Sequence, residues 1–452
     1  MYGLKKNTKT MLASLSLTAT MILGAFGAPS HEAKAAESKP FLVLFKSESS
    51  LPADYEKLIT DAGGSIKKAI GKMGAVQVTS ANPDFESQIE RSSAVLEAGV
   101  ENTIMPDAPV FEQELDATLA TGDLYQALQW DIKQVTKNGA SWSLPGGTGK
   151  SVDGKDIVVA VVDTGIDYNH PDLKANYAYG KSFVPGFPDA MDQNGHGTHV
   201  AGSIAAKGRT MGIGPDLKVA AYRVFGPTGG AATADIANAL MTAADDNVDV
   251  VNMSLGGYDW FQNPDYATKD TVEDVRLFNR AIQYAIKKGV TVVGSAGNNG
   301  VDISSPGKLS GDDNGATHRS PSSQTLIRVS AGGEAKNLAF YSNYGVGKID
   351  VMAPGGDYGL KYAETRNPLD ADRTKLCLAT VPGGGYGYKA GTSMAAPKVA
   401  ALAGVIIAQH GKDVLSPSQV KHILQSSSDD VFKTGYDGES GFGLVNAVNA
   451  LQ

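Results

Sequence analysis

The sequence predicts an α/β fold with a mainly parallel central sheet, preceded by a small α+β unit. Three observations carry that expectation. Four valine-rich runs, DIVVAVVDTG (156–165), LKVAAYRVF (217–225), VDVVNMSLGG (248–257) and GVTVVGSAGN (289–298), are near-continuously apolar, as suits strands buried on both faces. Helical patterns lie between them, at TADIANALMTAADDN (233–247) and TVEDVRLFNRAIQYAIKKG (271–289). Glycine is over-represented, 53 of 452 residues or about 12% against a usual ~7%, without a collagen period. So many glycines imply tight turns or close backbone approaches.

At the amino end, Lys5, Lys6 and Lys9 precede a mostly apolar run from Met11 to Ala28, and Ala33 and Ala35 form an A-x-A pattern. This is the layout of a secretory signal peptide over 1–35, cut after Ala35. Ser14, Ser16, Thr18 and Thr20 weaken the alternative of an uncleaved anchor. The expected product is secreted, with no stable membrane association once the leader is removed. Cys377 is the only cysteine, so no intrachain disulfide holds the fold. Forty basic against 48 acidic residues give a net charge of −8, which argues against nucleic acid as a partner.

Residues 39–106 read as a compact unit of two βαβ-like halves with helices on one face of a small sheet. KPFLVLF is a strand, 52–62 a helix, and GGSIKKAIGKMGAVQVTS a turn with two strands. DFESQIERSSAVLE (84–97) reads as a second helix with Phe85, Ile89 and Val95 along one side, followed by the strand-like VENTIMP. Residues 107–125 look like a linker or mobile helix. The segment 36–120 holds 14 acidic and 7 basic residues, a net of −7, so most of the negative balance lies in front. Beyond it, SQTLIRVSAG (323–332) and GKIDVMAPGG (347–356) predict further strands. A long apolar helix covers 393–410, and a last one starts near Pro417 with Ser416 as N-cap.

Polar residues end several of these apolar strands. Asp163 closes VVAVVD, Asn298 ends VVGSAGN, His196 lies in NGHGTHVAG, and Ser393 opens the helix in AGTSMAAPKVAALAG. In open α/β sheets, sites form outside the carboxyl ends of the strands. Chemistry suggests roles: Ser393 as nucleophile, His196 as its base, Asp163 orienting the imidazole. The Asn298 side chain and the Ser393 backbone N–H could serve as oxyanion donors. Taken singly, Asp163 reads more often as a cap or turn former, Ser393 as an N-cap and Asn298 as a turn residue. His196 and His199 also invite a metal reading, but no nearby cysteine or third histidine completes a usual zinc set.

The surroundings are more specific. VVDTGIDYNHPDL (161–173), NGHGTHVAGSIAA (194–206) and GTSMAAPKVAALAG (391–404) resemble the three diagnostic blocks of the subtilisin-like serine proteases. The resemblance implies a subtilisin-like three-layer domain over 126–452, with LQWDIKQV (128–135) as its lead-in. It also implies a ferredoxin-like inhibitory propeptide over 36–106, acting as intramolecular chaperone and shed by self-cleavage within 107–125. Asp163, His196 and Ser393 become the triad, Asn298 the oxyanion donor and His199 a structural residue. Ser254, Leu255, Gly256 and Gly257 match one substrate-binding edge, and GPTGGA (226–231), with Gly229 and Gly230, the opposite edge. Main-chain pairing with an extended polypeptide substrate would account for much of the glycine.

Departures from the family pattern matter too. IAAKGRTMGIGPDLKVA (204–220) replaces a longer Asn-rich loop that supplies the family's strongest calcium site. Asp172 matches one ligand of that site but its partners are missing, so the site is expected to be absent or weak. Calcium as a structural ion stays open elsewhere, with DYATKD (265–270) and SGDDNG (310–315) as oxygen-rich loops; no organic cofactor is expected. Extra length concentrates in 258–275, 301–322 and 357–376, and Cys377 reads as a buried core thiol. The expected protein is a monomeric, secreted serine endopeptidase made as a zymogen. The competing readings are an inactive binding or assembly protein of the same fold, a narrow leader-peptide processing protease, and a lipid or ester hydrolase. For the last of these, the G-x-S-x-G elbow is missing around Ser393.

Overall fold

A computed structural model describes residues 37–106, 109–116, 122–256, 258–260, 272–304, 316–318 and 326–452. The expected leader, Gly257 and both oxygen-rich loops lie outside them. The front unit runs β1 (Lys39–Phe45), α1 (Tyr55–Asp61), β2 (Gly64–Ile70), β3 (Ala75–Ser80), α2 (Phe85–Ile89) and β4 (Val95–Val100). Its four strands lie in the order β2-β3-β1-β4, all antiparallel. The second helix stops at Ile89, short of the expected 84–97, and Val95 opens β4. The spacing of Phe85 and Ile89 is helical, but Val95 belongs to the alternation that follows.

Strand β1 explains its own continuous apolarity. Phe41, Val43 and Phe45 pack with Ile59, Phe85 and Ile89 in the unit's own core. Leu42 and Leu44 point the other way, into the core beneath two helices of the main domain. Both faces are buried, so alternation disappears.

The chain then passes through β5 (Thr103–Pro106), β6 (Phe111–Glu114), α3 (Leu124–Leu128) and α4 (Trp130–Thr136). The segment 107–125 is thus no mobile helix where it is described. It holds a strand, and only its end starts a helix.

The main domain follows as β7 (Val158–Asp163), β8 (Tyr177–Ser182), α5 (His196–Ala205), β9 (Lys218–Arg223), β10 (Ala231–Ala232), α6 (Thr233–Asp245), β11 (Val250–Met253), β12 (Leu255–Gly256) and β13 (Tyr258–Trp260). Then come α7 (Val272–Lys287), β14 (Thr291–Ser295), β15 (Ala316–His318), β16 (Ile327–Gly332), β17 (Val351–Pro354) and α8 (Leu360–Thr365). The chain closes with β18 (Cys377–Val381), β19 (Gly385–Ala390), α9 (Thr392–His410), α10 (Pro417–Ser426) and α11 (Ala447–Ala450). Seven strands form one parallel sheet in the order β17-β16-β14-β11-β7-β9-β8.

Along β7, Val159 and Val161 face a core shared with α5, α9 and α10, while Ala160 and Val162 face α6 and α7. That is the three-layer arrangement the apolar runs predict. Helix α9 passes through the first core and is buried from Thr392 to Ala408. Ser416 caps α10 in a capping box with Gln419. Two of the extra-length segments meet where β13 pairs with β15. The third carries α8, whose Tyr362 joins Phe340 and Tyr358 in an aromatic cluster.

The front unit docks on α6 and α7 through more than Leu42 and Leu44. Arg280 of α7 donates to the carbonyls of Met73 (2.9 Å) and Phe45 (3.0 Å). Lys68 pairs with Asp235, and Lys72 with Asp245. Glu101 accepts from the Ala234 backbone N–H (2.8 Å) and from Gln77 Nε2 (2.7 Å).

Burial pushes the Glu101 carboxyl up to about 7 from an ordinary 4.5, and Asp274 and Asp235 add to it against those two hydrogen bonds. The docked form therefore holds a proton that the released form gives up. Docking is fully favoured below the released value and weakens as pH rises through the docked one. Were the chain cut within 107–125 as the sequence leads one to expect, the front unit should leave the main domain faster at pH 8 than at pH 5, and Glu101→Gln should flatten that difference. Size exclusion of the inhibitor-blocked, processed protein at both pH values reads it out; equal retention would refute it.

Candidate active site

The first group of side chains assembles where β7 ends and α5 begins. Asp163 is the last residue of β7 and is fully buried. His196 is the first residue of α5, preceded by Gly195 at φ 101°, a left-handed conformation that favours glycine. His196 Nδ1 lies 2.8 and 2.9 Å from the two Asp163 carboxylate oxygens. With Nδ1–H donating to the carboxylate, Nε2 of the neutral ring is left as an acceptor. That Nε2 is buried and has no hydrogen-bond partner among the described residues. Burial pulls the imidazole pKa down, but the charge and hydrogen bond of Asp163 outweigh it and hold it above the ordinary value.

Asp192 holds this corner together. It accepts from Thr164 Oγ1 (2.9 Å), the Gly195 N–H (2.9 Å) and the Thr198 N–H (2.9 Å), tying the end of β7 to the start of α5. Sequence reasoning passed over it, although it stands just before the NGHGTH block.

The second group lies beyond the ends of β11, which neighbours β7, and β14, the next strand along. Asn298 Oδ1 accepts from both the N–H and the Oγ1 of Thr392, each at 2.8 Å. A backbone N–H can only donate, so this fixes the amide orientation and places Nδ2 opposite. An ideal Cβ at Gly391 would sit 3.4 Å from that Nδ2, so glycine leaves its approach open. Ser393 follows as the second residue of α9. Pro397, inside the helix, has no N–H to give the Ser393 carbonyl, and Ser254 Oγ donates to it instead (3.2 Å). Neither Thr392 nor Pro397 stands out in sequence for these tasks. All four expected catalytic residues thus lie on one rim of the sheet, in two tightly bonded groups.

A peptide-binding arrangement surrounds them. β5 lies between β10 and β12, antiparallel to both, with Ile104 opposite Ala231, Met105 opposite Gly256 and Pro106 opposite Leu255. Pro106 closes the strand, where its missing N–H costs least. In the expected opposite edge, 226–231, its last residue Ala231 and the adjoining Ala232 carry the pairing, while Gly229 turns the chain at φ 86°. Gly230 is a close approach, since a Cβ there would lie 2.3 Å from Thr103 Cγ2. Downstream, the Val110 N–H donates to the Ala390 carbonyl (2.7 Å), and β6 then pairs antiparallel with β19. The chain is therefore held as an added strand both before and after Pro106–Pro109, and Ser393 is fully buried.

Other residues fall into supporting positions. His199 Nε2 faces the carbonyls of Cys377 (3.2 Å) and Gly387 (3.1 Å), and burial, with Lys389 and Lys398 nearby, pushes its pKa well below the ordinary value. It is a neutral, structural histidine. Cys377 is fully buried, and burial raises its thiol pKa well above the ordinary value.

Asp172 Oδ2 accepts from the Thr210 N–H (2.8 Å), Thr210 Oγ1 (2.8 Å) and Tyr386 Oη (3.1 Å). Three donors converge on this one oxygen, an arrangement that serves a structural acceptor better than a cation ligand. Replacing it with asparagine should leave any response of the melting temperature to added calcium unchanged; loss of that response in Asp172→Asn would refute this.

Comparisons with known proteins agree with this geometry. The model of the subtilase family, Peptidase S8, matches residues 154–443. Subtilisin E of Bacillus subtilis (strain 168) is 30% identical over 456 aligned positions, covering 99% of each chain. Among solved structures, the epidermin leader peptide processing serine protease of Staphylococcus aureus superposes with a TM-score of 0.74 at 26% identity, covering 92% of this chain and 98% of that one. The nisin leader peptidase of Lactococcus lactis gives 0.61 at 30% identity, covering 73% and 95%. The chain belongs to the subtilase family of serine endopeptidases.

Proposed function

We propose that the protein is the precursor of a secreted, monomeric serine endopeptidase that cuts its own chain downstream of the front unit. Residues 1–35 are the leader, 36–106 the inhibitory front unit, and 126–452 the catalytic domain. The observation that carries the reading is the chain's own strand, bound between two edges beside Ser393 as a substrate would be. In the proposed reaction, His196 Nε2 takes the proton of Ser393 Oγ as that oxygen attacks the scissile carbonyl carbon. The oxyanion receives hydrogen bonds from Asn298 Nδ2 and the Ser393 N–H. The imidazolium, stabilised by Asp163, then gives its proton to the leaving amine as the C–N bond breaks. Water, deprotonated by His196, then attacks the acyl carbon, and as the acyl C–O bond breaks His196 returns the proton to Ser393 Oγ, freeing the carboxylic acid. No metal or organic cofactor enters these steps.

Removing the side-chain donor with Asn298→Ala should lower kcat about 10²–10³-fold with little change in KM, the size of loss typical of a single oxyanion donor. Steady-state kinetics on a peptide substrate check it; a change confined to KM would assign Asn298 to binding.

A second reading, a protease with narrow specificity for leader peptides, draws support from the two leader-processing structures it resembles. A proteome-derived peptide library separates the two: many cut sequences favour a broad endopeptidase, a single motif the narrow one. The enzymatic reading itself is tested by expressing 36–452 and adding a serine-directed phosphonate. Labelling at Ser393 together with release of the front unit supports it; neither occurring would leave a binding protein of the same fold.

A further inference from the structure

The half of the cleft downstream of the cut holds an arrangement that catalysis does not use. Lys389, just before the Ala390 whose carbonyl accepts from the Val110 N–H, is only 4% exposed. It sits directly opposite Glu112 in the β6–β19 register and pairs with its carboxylate. A lysine this buried is costly without a counter-charge, and its ion-pair partner among the described residues comes from β6, the strand that a bound substrate would replace on the endopeptidase reading.

The neighbouring position is built as deliberately. Phe111 lies edge-on to Tyr358, centroids 5.5 Å apart, with the Arg373 guanidinium 5.1 Å over its ring. Arg373 also donates to Gln113 Oε1 at 3.0 Å. Beside Lys389, a cavity of about 200 Å³ opens between β6 and the loop at Gln193–Gly195 that leads into His196. One wall is the chain's own Glu112 and Glu114; the others belong to the main domain.

We propose that Lys389, with Arg373 and Tyr358, makes the downstream half of the cleft selective for an extended peptide in which an aromatic residue is followed by a carboxylate. This rests on the endopeptidase reading. The chain's Phe111–Glu112 is the first occupant of this subsite. Once self-cleavage frees the strand to leave, the same cation and aromatic slot receive the equivalent residues of a substrate. An apolar or cationic residue at the acidic position leaves Lys389 unpaired or repelled.

The test uses processed protein and a quenched fluorescent peptide spanning 101–116 of this chain, with cut positions read by mass spectrometry. Versions carry lysine or alanine at the position of Glu112, and alanine at that of Phe111. We expect kcat/KM to fall about 10-fold for the lysine peptide, with a smaller fall for each alanine peptide. Lys389→Glu should reverse the order, so that the lysine peptide becomes the better substrate. A merely structural role for Lys389 would lower all rates without reversal. Should that variant fail to fold, the surface substitution Arg373→Glu should still erase the preference for phenylalanine. Equal rates on all peptides, or a cut downstream of the acidic position, would overturn the proposal. Failure of the wild type to cut any peptide or to react with the phosphonate would instead overturn the endopeptidase reading.

Discussion

Replacing Ser393 with alanine is expected to leave the precursor uncut and to lower peptide hydrolysis by at least about 10⁴-fold. The loss is large because Ser393 Oγ has no substitute. The only cysteine is a fully buried thiol whose pKa burial raises well above the ordinary value, so it offers no thiolate. The remaining donors would still polarise a bound carbonyl, so a small residual rate is compatible with the reading. His196→Ala should match the loss, since the two act as one unit, whereas Asp163→Asn should retain somewhat more. The pH profile adds a sign. Because Asp163 holds the imidazole pKa above its ordinary value, activity should rise with pH through a midpoint above that of a free histidine. Precursor on a denaturing gel and the pH dependence of kcat/KM provide the measurement. Mature product from Ser393→Ala without added protease would contradict self-processing.

The second large effect concerns stability. Lys398, one turn after Ser393 on α9, is fully buried. Its ammonium lies 2.8 Å from Asp131 of α4 and donates to the Met394 carbonyl at 2.9 Å. Burial pulls the Lys398 pKa down, but the charge and close contact of Asp131 outweigh it and hold it above the ordinary value, so the ammonium stays charged. Both oxygens of Asp131 lack an aligned hydrogen bond, so Lys398 is the contact that answers its charge. Lys398→Met alone strands a buried carboxylate and should destabilise the protein by about 3–5 kcal/mol. Combining it with Asp131→Leu should recover most of that, because a well-packed apolar pair needs no counter-charge. Urea unfolding in the Ser393→Ala background, where self-digestion is absent, measures both. Additive losses in the double variant would show that the two residues act separately.

How much of this was legible in sequence depends on whether a residue's task is local. The strands β7, β9, β11 and β14 announce themselves because burial on both faces removes alternation. Asp163, His196, Asn298 and Ser393 are legible because each follows a strand or opens a helix inside a long, specific block. Strand β6 was not, because FEQE is mostly exposed and has no apolar pattern of its own; it is a strand only because β19 offers an edge. Within the edge expected over 226–231, the pairing falls on Ala231 and the adjoining Ala232 rather than on Gly229 and Gly230, because glycine content marks where backbones can approach, not which residues then pair. Asp192, Lys398 and Asp131 were passed over because their partners are distant in sequence or give no periodic signal. The helix expected over 84–97 failed where two apolar residues at helical spacing ran into a third belonging to a strand.

The two-faced burial of β1 has a consequence for the direction of maturation. Once the connection is cut and the front unit departs, Leu42 and Leu44 turn from core residues into a water-facing apolar stripe. A unit of about 70 residues has little stability to spare for such a loss. It should then open readily, and an opened chain is what an endopeptidase consumes. On the proposed self-processing, the same two leucines that seat the front unit would make its departure a one-way event, with that unit degraded before it can rebind.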